Sequence, residues 1–570
     1  MIRPLITSLT LAALVVLLAA CGSPEGVAPQ IDSIQESDLR ADLFALSHDS
    51  MAGRLVGTPQ IDMASDWIRE RFESLGLEPA GDGGTFDQRF DLVWFSLGAS
   101  NRLTVAGAGG VRAEGTGWTP SNAGAAGSAQ GEVVFAGFGI VEPRLGFDDY
   151  QGEDVRGKVV LMLDGEPGAA DPTSPFDGVV RAEASSTWRK VLSAQTRGAV
   201  GVLFVKDVHN RSDAVDWGRQ HAALWPEEAR PIERFTLGVW VADINIPAAQ
   251  ISVELAAHIV SGSGRSLEEL AGDAESAAAG LGVVSLPGAR VDFTTSVERN
   301  VTPGRNILAM IEGSDPTLQN EVVIIGAHHD HNGIGPATLP DGTMLPAAVF
   351  NGADDDGSGT VGVLATAAAY ARAAEVGDRP RRTVMFSIWD AEERGLLGAW
   401  YYTTRPLFAL ERTVANLNLD MIGRHEEVPA DGGGRFRGLE VQSAESNSNA
   451  INILGYSRTP DLAGVVAAAN VALTETGVIH AALTLRSRYD NSLSNLLRRS
   501  DHWPFLQNDV PAVWFHTGLH PDYHTPYDDA ESIEYEKMTR IVRLVHQTSW
   551  DLANADSRPA IEGMGSRPPG

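Results

Sequence analysis

Residues 322–331 read Val-Val-Ile-Ile-Gly-Ala-His-His-Asp-His, and this stretch decides the fold of the chain. The run from Val322 to Gly326 is continuously apolar, which predicts a short β-strand that is buried on both faces. Comparable apolar strands are predicted at Thr383 to Trp389, Ala415 to Leu419 and Val510 to His516, and a helix at about 360–375. This alternation is typical of an α/β fold with a mostly parallel sheet flanked by helices on both sides.

Unusual polar residues follow the first of these strands, and ligands in such sheets bind beyond the carboxyl ends of the strands. His328 and Asp330 are two residues apart, so both side chains lie on one face of an extended segment. Asp330 is therefore predicted to orient the imidazole of His328 while its other nitrogen binds a metal ion. We assign His329 and His331 to supporting or structural roles.

A Gly-rich turn at 351–359 places Asp354, Asp355 and Asp356 in front of the predicted helix. Capping of the helix would require only one of these carboxylates. Three adjacent acids repel one another unless cations compensate their charge, so the turn favours a metal site.

Two neighbouring glutamates, Glu392 and Glu393, follow the strand that ends at Trp389. One carboxylate of such a pair can bind a metal ion while the other accepts a proton from a metal-activated water molecule. A charged helix start is the simpler alternative. Asp420 and His524 follow two further strands, so carboxylates and histidines accumulate at one edge of the sheet.

These residues resemble motifs of the di-zinc aminopeptidase family that is related to glutamate carboxypeptidase and the transferrin receptor. The matching segments, in chain order, are Gly-Ala-His-His-Asp at 326–330, Gly-Ala-Asp-Asp-Asp-Gly-Ser-Gly at 352–359, Asp-Ala-Glu-Glu-Arg-Gly-Leu at 390–396, Asn-Leu-Asp-Met-Ile-Gly at 418–423, Ser-Asp-His-Trp-Pro-Phe at 500–505 and Tyr-His-Thr-Pro at 523–526. A further likeness to an N-terminal signature of the family lies at 53–59, around Gly53 and Arg54.

The resemblance implies two Zn²⁺ ions per chain and a role for each matching residue. Asp355 would bridge the ions, His328 and Asp420 would complete one site, and Glu393 and His524 the other. Glu392 would be the catalytic base. The resemblance also implies a cis peptide bond between Asp355 and Asp356.

Three residues around these motifs are assigned supporting roles. Tyr523, beside His524, is a candidate hydrogen-bond donor to the developing oxyanion, with packing of its ring under the loop as the alternative. Asp501 and His502 are predicted to support the zinc site from the second shell.

Composition changes along the chain predict its domains. Residues 37–125 form the N-terminal part of the peptidase domain, 126–292 an inserted β-rich domain, 293–553 the catalytic domain and 554–570 a disordered tail. The insert resembles the protease-associated domain, for which a lid, a substrate-guiding surface and a purely structural insert are open alternatives.

The N-terminus predicts export. Residues 1–20 have the charge and the apolar run of a signal peptide, and Cys21 stands where lipoproteins are lipidated. Residues 21–36 then form a tether, and Gly22 favours the outer membrane, with the protein facing the periplasm. Ordinary secretion or a periplasmic location is the alternative.

The composition limits the partners of the protein. A hydrophobic content of 43% over 570 residues is enough for two or three domains with cores. A formal net charge of −30 argues against binding to nucleic acid, and membrane contact is expected only through Cys21.

The family resemblance implies that peptides are the substrates and that removal of their N-terminal residues is the reaction. A carboxypeptidase or dipeptidase that uses Arg498 or Arg499 for a terminal carboxylate is one alternative. A receptor-like protein without activity is another, but retention of all the ligand residues disfavours it.

Overall fold

In the computed structural model, the described residues are 26–107, 110–114, 117–169, 171, 173–176, 181–211, 217–226, 233–338 and 342–562. The predicted signal peptide, Cys21 and the first residues of the predicted tether lie outside them, as do residues 563–570 of the predicted tail.

The larger of the two main sheets carries the motifs. Its strands, in order across the sheet, are Thr236–Leu237, Asp87–Leu97, Val297–Ile311, Thr383–Trp389, Val322–His328, Thr413–Leu419, Ala512–His516, Ala450–Leu454 and Thr484–Arg486, and Glu78–Pro79 pairs with Val297–Ile311. The four strands from Thr383–Trp389 to Ala512–His516 are mutually parallel, whereas their outer neighbours Val297–Ile311 and Ala450–Leu454 are antiparallel to them. The core of the sheet is therefore parallel, as the continuous apolar strands predict.

Both faces of this sheet are covered. In the strand Val322–His328, Val323 and Ile325 join the core on one side, and Val322 and Ile324 join a separate core on the other. This division follows from the alternation of side chains along a strand. The α/β fold predicted from the sequence is confirmed, with helices on both faces.

The helices of the described chain are Glu36–Leu46, Pro59–Ser74, Thr187–Thr196, Trp217–Leu224, Gly238–Val241, Val253–Val260, Leu267–Ser276, Gly359–Glu375, Leu397–Thr404, Pro460–Glu475, His502–Gln507 and Tyr535–Asn554. None of the helices in the described part of the chain is both long and apolar enough to cross a bilayer.

A second sheet has eight strands, most of which lie in the range predicted for the inserted domain. Its strands, in order, are Gly110–Glu114, Arg102–Gly107, Val284–Thr295, Gly127–Phe135, Val159–Leu163, Gly201–Val205, Ala248–Ile251 and Trp118–Pro120. Two small hairpins, Val141–Glu142 with Phe147–Asp148 and Gly333–Thr338 with Met344–Phe350, complete the strands. The strands Arg102–Gly107, Gly110–Glu114 and Trp118–Pro120, which lie in the range predicted for the peptidase domain, belong to this second sheet. Their Gly-rich and Ala-rich composition carries little strand signal because glycine and alanine are uncommon in β-strands.

Aromatic and charged contacts join the insert to the peptidase sheet. The indole rings of Trp188 and Trp240 stack with centroids 5.1 Å apart, and Trp240 meets Trp400 of the peptidase part edge to face. Arg498 Nη2 lies 2.7 Å from Glu183 Oε1, which links the insert to the segment before Ser500. The insert is therefore packed against the peptidase part through side chains of both.

The segments predicted as tether and tail are packed where the structure describes them. Val27 and Ile31 are buried, and the Ala28 amide donates a hydrogen bond of 2.8 Å to Gln547 Oε1 on the last helix. Near the other end, the Glu562 amide donates to the carbonyl of Arg458. A few apolar residues in otherwise Gly- and Pro-rich segments are sufficient for this packing.

Candidate metal centre

The candidate ligands come from five separate segments that meet at one edge of the larger sheet. His328 is the last residue of its strand, Asp420 directly follows Thr413–Leu419, and Glu393 follows Thr383–Trp389. Asp355 lies in the turn before the helix Gly359–Glu375, and His524 lies in the loop after Ala512–His516. Parallel strands present their carboxyl ends at the same edge, which explains the convergence.

Asp355 lies between two groups of donor atoms. Its Oδ1 is 3.3 Å from His328 Nε2, which is in turn 3.8 Å from Asp420 Oδ2. Its Oδ2 is 2.9 Å from His524 Nε2, and this nitrogen is 3.2 Å from Glu393 Oε1. The structure thus brings all five sequence-predicted ligands together, with Asp355 shared by both groups.

His331, which is predicted to have a supporting or structural role, also lies in this cluster. Its Nδ1 lies 2.7 Å from Glu393 Oε1 and 3.8 Å from Asp355 Oδ2, and within this second group the potential ligand atoms all lie within 4.8 Å of one another. His329 does have the predicted structural role, because its two ring nitrogens contact Ser65 Oγ and the carbonyl oxygen of Trp389.

The three aspartates of the turn have different partners. Asp356 Oδ1 accepts from the amide of Gly359 at the helix start, and its Oδ2 accepts from the amide of His328. Asp354 Oδ1 accepts from the amide of Gly423. Only Asp355 directs both oxygens at the histidines, and its peptide bond to Asp356 is cis, as the resemblance implies.

The cluster has the properties of a zinc site. His328 Nε2, His331 Nδ1 and Asp355 Oδ2 are buried, and none of their contacts within the described residues has the geometry of a hydrogen bond, although the opposing donor atoms lie as close as 2.7 Å. Buried polar atoms without partners are costly, and imidazole nitrogens with carboxylate oxygens are the donors that zinc prefers in catalytic sites. The donor set therefore fits zinc.

Glu392 lies beside the first group without being part of it. Its Oε2 is 3.7 Å from His328 Nε2, and the side chain is 9% exposed. Burial raises the pKa of Glu392 well above its ordinary value; His328 lowers it and the carboxylate of Asp420 raises it further. Asp330 accepts hydrogen bonds from the amides of both Glu392 and Glu393, so it fixes the backbone that carries them.

A pocket opens onto the cluster, and Tyr523 and Arg499 lie in its wall. Arg499 Nη2 donates a hydrogen bond of 2.8 Å to Tyr523 Oη, and the phenol ring stacks on His524 with centroids 3.9 Å apart. Burial raises the pKa of Tyr523 well above its ordinary value, although Arg499 lowers it. The phenol therefore stays protonated and can donate a hydrogen bond into the pocket.

Residues 306–549 match the sequence profile of peptidase family M28. This segment belongs to peptidase family M28.

Similar proteins extend the comparison beyond this M28 domain. A probable glutamate carboxypeptidase of Arabidopsis thaliana is 25% identical over 419 residues, which are 70% of this chain and 50% of that protein. A probable zinc metalloprotease of Pyrenophora teres is 26% identical over 277 residues, 45% of this chain and 52% of that protein. The matches thus span about half the length of these curated relatives. An aminopeptidase structure from Aneurinibacillus has 18% identity and a TM-score of 0.44, covering 95% of this chain and 98% of that chain.

Two predicted supporting residues of the M28 domain differ in their surroundings. Asp501 is fully buried, and His328, Asp420 and Asp330 contribute to the electrostatic field that shifts its pKa, although burial is the main cause of the rise. His502 instead packs its ring against Trp514 in the pocket wall. Asp501 is thus near the cluster, whereas His502 supports the wall.

Arg54 is a residue of the centre whose role the sequence analysis missed. Its fully buried guanidinium donates hydrogen bonds to the carbonyl oxygens of His329, Asn351, Gly352 and Leu46. It therefore ties together the two segments that carry His331 and Asp355. Its place within the signature at 53–59 was the available signal, but only the fold shows what it binds.

Proposed function

We propose that this protein is a zinc-dependent exopeptidase that removes N-terminal residues from peptides with two zinc ions per chain. The observation that carries the proposal is the position of Asp355 between two histidine-containing donor groups, with Glu392 beside them. Bound zinc would polarise the scissile carbonyl group and lower the pKa of the attacking water toward neutrality.

Glu392 performs the proton transfers in this proposal. Its carboxylate accepts a proton from the attacking water and later passes it to the leaving amine. Asp330 supports this role because it holds the Glu392 amide at 2.9 Å and so limits the positions open to the side chain.

Tyr523 and Arg499 stabilise the negative charge that develops on the carbonyl oxygen. Because Arg499 donates to the phenol oxygen, the phenol proton is directed away from the guanidinium and is available to the substrate. Arg499 is a positioning residue in this scheme.

A panel of three peptides tests the proposed function. The zinc-loaded protein is given one sequence with both ends free, with an acetylated N-terminus, or with an amidated C-terminus, and the products are identified by mass spectrometry. An aminopeptidase releases the first residue of the free and amidated peptides and leaves the acetylated peptide intact. Cleavage of the acetylated peptide as fast as that of the peptide with a free N-terminus would contradict the proposal.

A carboxypeptidase or dipeptidase is the second candidate, and Arg499 is the observation that favours it. This arginine lies in the pocket wall together with the candidate ligands, where its charge could bind a terminal carboxylate. Relatives described as probable glutamate carboxypeptidases agree with this alternative. It predicts that amidation of the C-terminus, rather than acetylation of the N-terminus, stops cleavage.

We also propose that the protein is exported and attached to the outer membrane through a lipid on Cys21, facing the periplasm. The contact between Arg498 and Glu183 connects the predicted insert to the segment that carries the pocket residue Arg499.

A further inference from the structure

We infer that His331 is a metal ligand, which gives the second donor group four protein ligands and makes the two metal positions unequal. The inference rests on the proposed function only in assuming that zinc is the ion bound. His331 is not among the five ligands that the family resemblance implies. It lies three residues after His328 on the same segment.

The surroundings of His331 place its ring among the donors. The residue is fully buried, and its Nδ1 lies 2.7 Å from Glu393 Oε1 and 3.8 Å from Asp355 Oδ2. The ring of His524 meets it edge to face with centroids 5.5 Å apart. One ion placed among these four side chains would contact a donor atom from each of them.

Two features hold the ring in this position. The backbone amide of His331 donates to the carbonyl of Arg54, whose own side chain is anchored to the neighbouring segments. Gly352 packs directly on the ring, since a Cβ there would lie 2.5 Å from the ring Cγ of His331. A glycine at this position is therefore required for the ring to face Glu393 and Asp355.

A simple hydrogen bond between His331 and Glu393 explains less of the structure. His331 Nδ1 lies 2.7 Å from Glu393 Oε1, but the contact does not have the geometry of a hydrogen bond, and neither ring nitrogen makes one within the described residues. Asp355 Oδ2, on the same side, is also without one. A cation in the second group satisfies His331 Nδ1 and Asp355 Oδ2 together.

The two groups then differ in the number of protein donors. The second group has four, from His331, Asp355, Glu393 and His524, whereas the first has three. Structural zinc sites are closed by four protein ligands, and catalytic sites keep a position open. The second position is therefore expected to fill first and to exchange slowly, and the first position to accept the substrate.

X-ray absorption at the zinc edge tests this inference on the full-length wild-type protein, because it counts imidazole ligands per zinc. With one equivalent of zinc added to the metal-free protein, we expect about two imidazoles per ion, from His331 and His524. With two equivalents, three imidazoles are shared by two ions. One imidazole per zinc at both loadings would overturn the inference.

A pair of variants provides the control. His331→Gln should reduce the count at one equivalent to one imidazole and weaken the tighter zinc site at least about tenfold. His329→Gln removes the neighbouring buried histidine, which contacts Ser65 and Trp389, and should leave the count unchanged. An unchanged count in His331→Gln would show that His331 only orients Glu393.

Failure of the proposed function would be visible separately. A protein that binds its first zinc through two imidazoles but hydrolyses no peptide would refute the peptidase proposal and leave the role of His331 intact. If His331→Gln does not fold, the wild-type measurement at one equivalent decides the question alone.

Discussion

Glu392 and Glu393 are sequence neighbours with different proposed roles, the first as general base and the second as zinc ligand. Replacing each by glutamine separates proton transfer from metal binding. Glu392→Gln keeps the volume of the side chain but removes the carboxylate that lies 3.7 Å from His328 Nε2. Loss of a general base lowers a rate by about a hundredfold or more, which corresponds to about 2.7 kcal/mol in the activation free energy. Zinc content should stay at the wild-type value.

Glu393→Gln should change the zinc content, which Glu392→Gln is expected to leave unchanged. Glu393 Oε1 lies 2.7 Å from His331 Nδ1 and 3.2 Å from His524 Nε2, at the centre of the second donor group. A neutral amide there removes the negative charge that balances a cation, so we expect this variant to lose one zinc per chain and to lose activity as a consequence.

The assay measures zinc by elemental analysis and turnover of an aminoacyl substrate on the same samples, after thermal unfolding has shown that both variants are folded. Each variant is the matched control for the other, because the same chemical change is made one residue apart. Full activity in Glu392→Gln, or a loss of zinc equal to that of Glu393→Gln, would refute the assignment of Glu392 as the base.

Four further predictions concern other parts of the chain. Arg54→Met leaves four carbonyl oxygens without their donor and should lower the free energy of unfolding by about 3–5 kcal/mol, measured with urea. An unchanged urea midpoint of unfolding would contradict a stabilising role of these hydrogen bonds. Arg499→Met should reduce kcat about tenfold at constant zinc content, and adding Tyr523→Phe should cost little more if the two residues act as one unit. Cys21→Ser should release the protein from membranes without changing its turnover, and soluble wild-type protein would defeat the lipid anchor. Burial raises the pKa of Glu166 to about 7. The folded state therefore loses stability as the pH rises from the ordinary pKa of a glutamate to about 7, because the buried carboxyl group must then lose its proton. Between about pH 5 and pH 8, the thermal midpoint of Glu166→Gln should fall less than that of the wild type.

The sequence was sufficient to predict the parallel core of the larger sheet and most residues of the candidate metal centre. A fully buried strand must be apolar on both faces, so the run before His328 is readable without knowledge of its neighbours. Histidines and carboxylates directly after such strands point to one sheet edge, because parallel strands end together. The choice of His328, Asp355, Asp420 and His524 among the neighbouring histidines and carboxylates came from the family resemblance, which rests on short motifs of the chain.

The surroundings of His331, the partners of Arg54 and the extent of the second sheet depend on contacts between distant segments, which only the tertiary structure shows. Whether His331 reaches Glu393 depends on the turn of the chain after the strand and on the close approach of Gly352, neither of which has a sequence signal of its own. Arg54 is recognisable as part of a motif, but its partners are backbone carbonyls, which every residue has. Strands such as Gly110–Glu114 contain glycine, alanine and glutamate, which are uncommon in strands, so composition placed them in the range of the peptidase domain rather than in the second sheet. Side-chain type is fixed by the sequence, whereas the distance between two side chains is set by the packing of the segments that carry them.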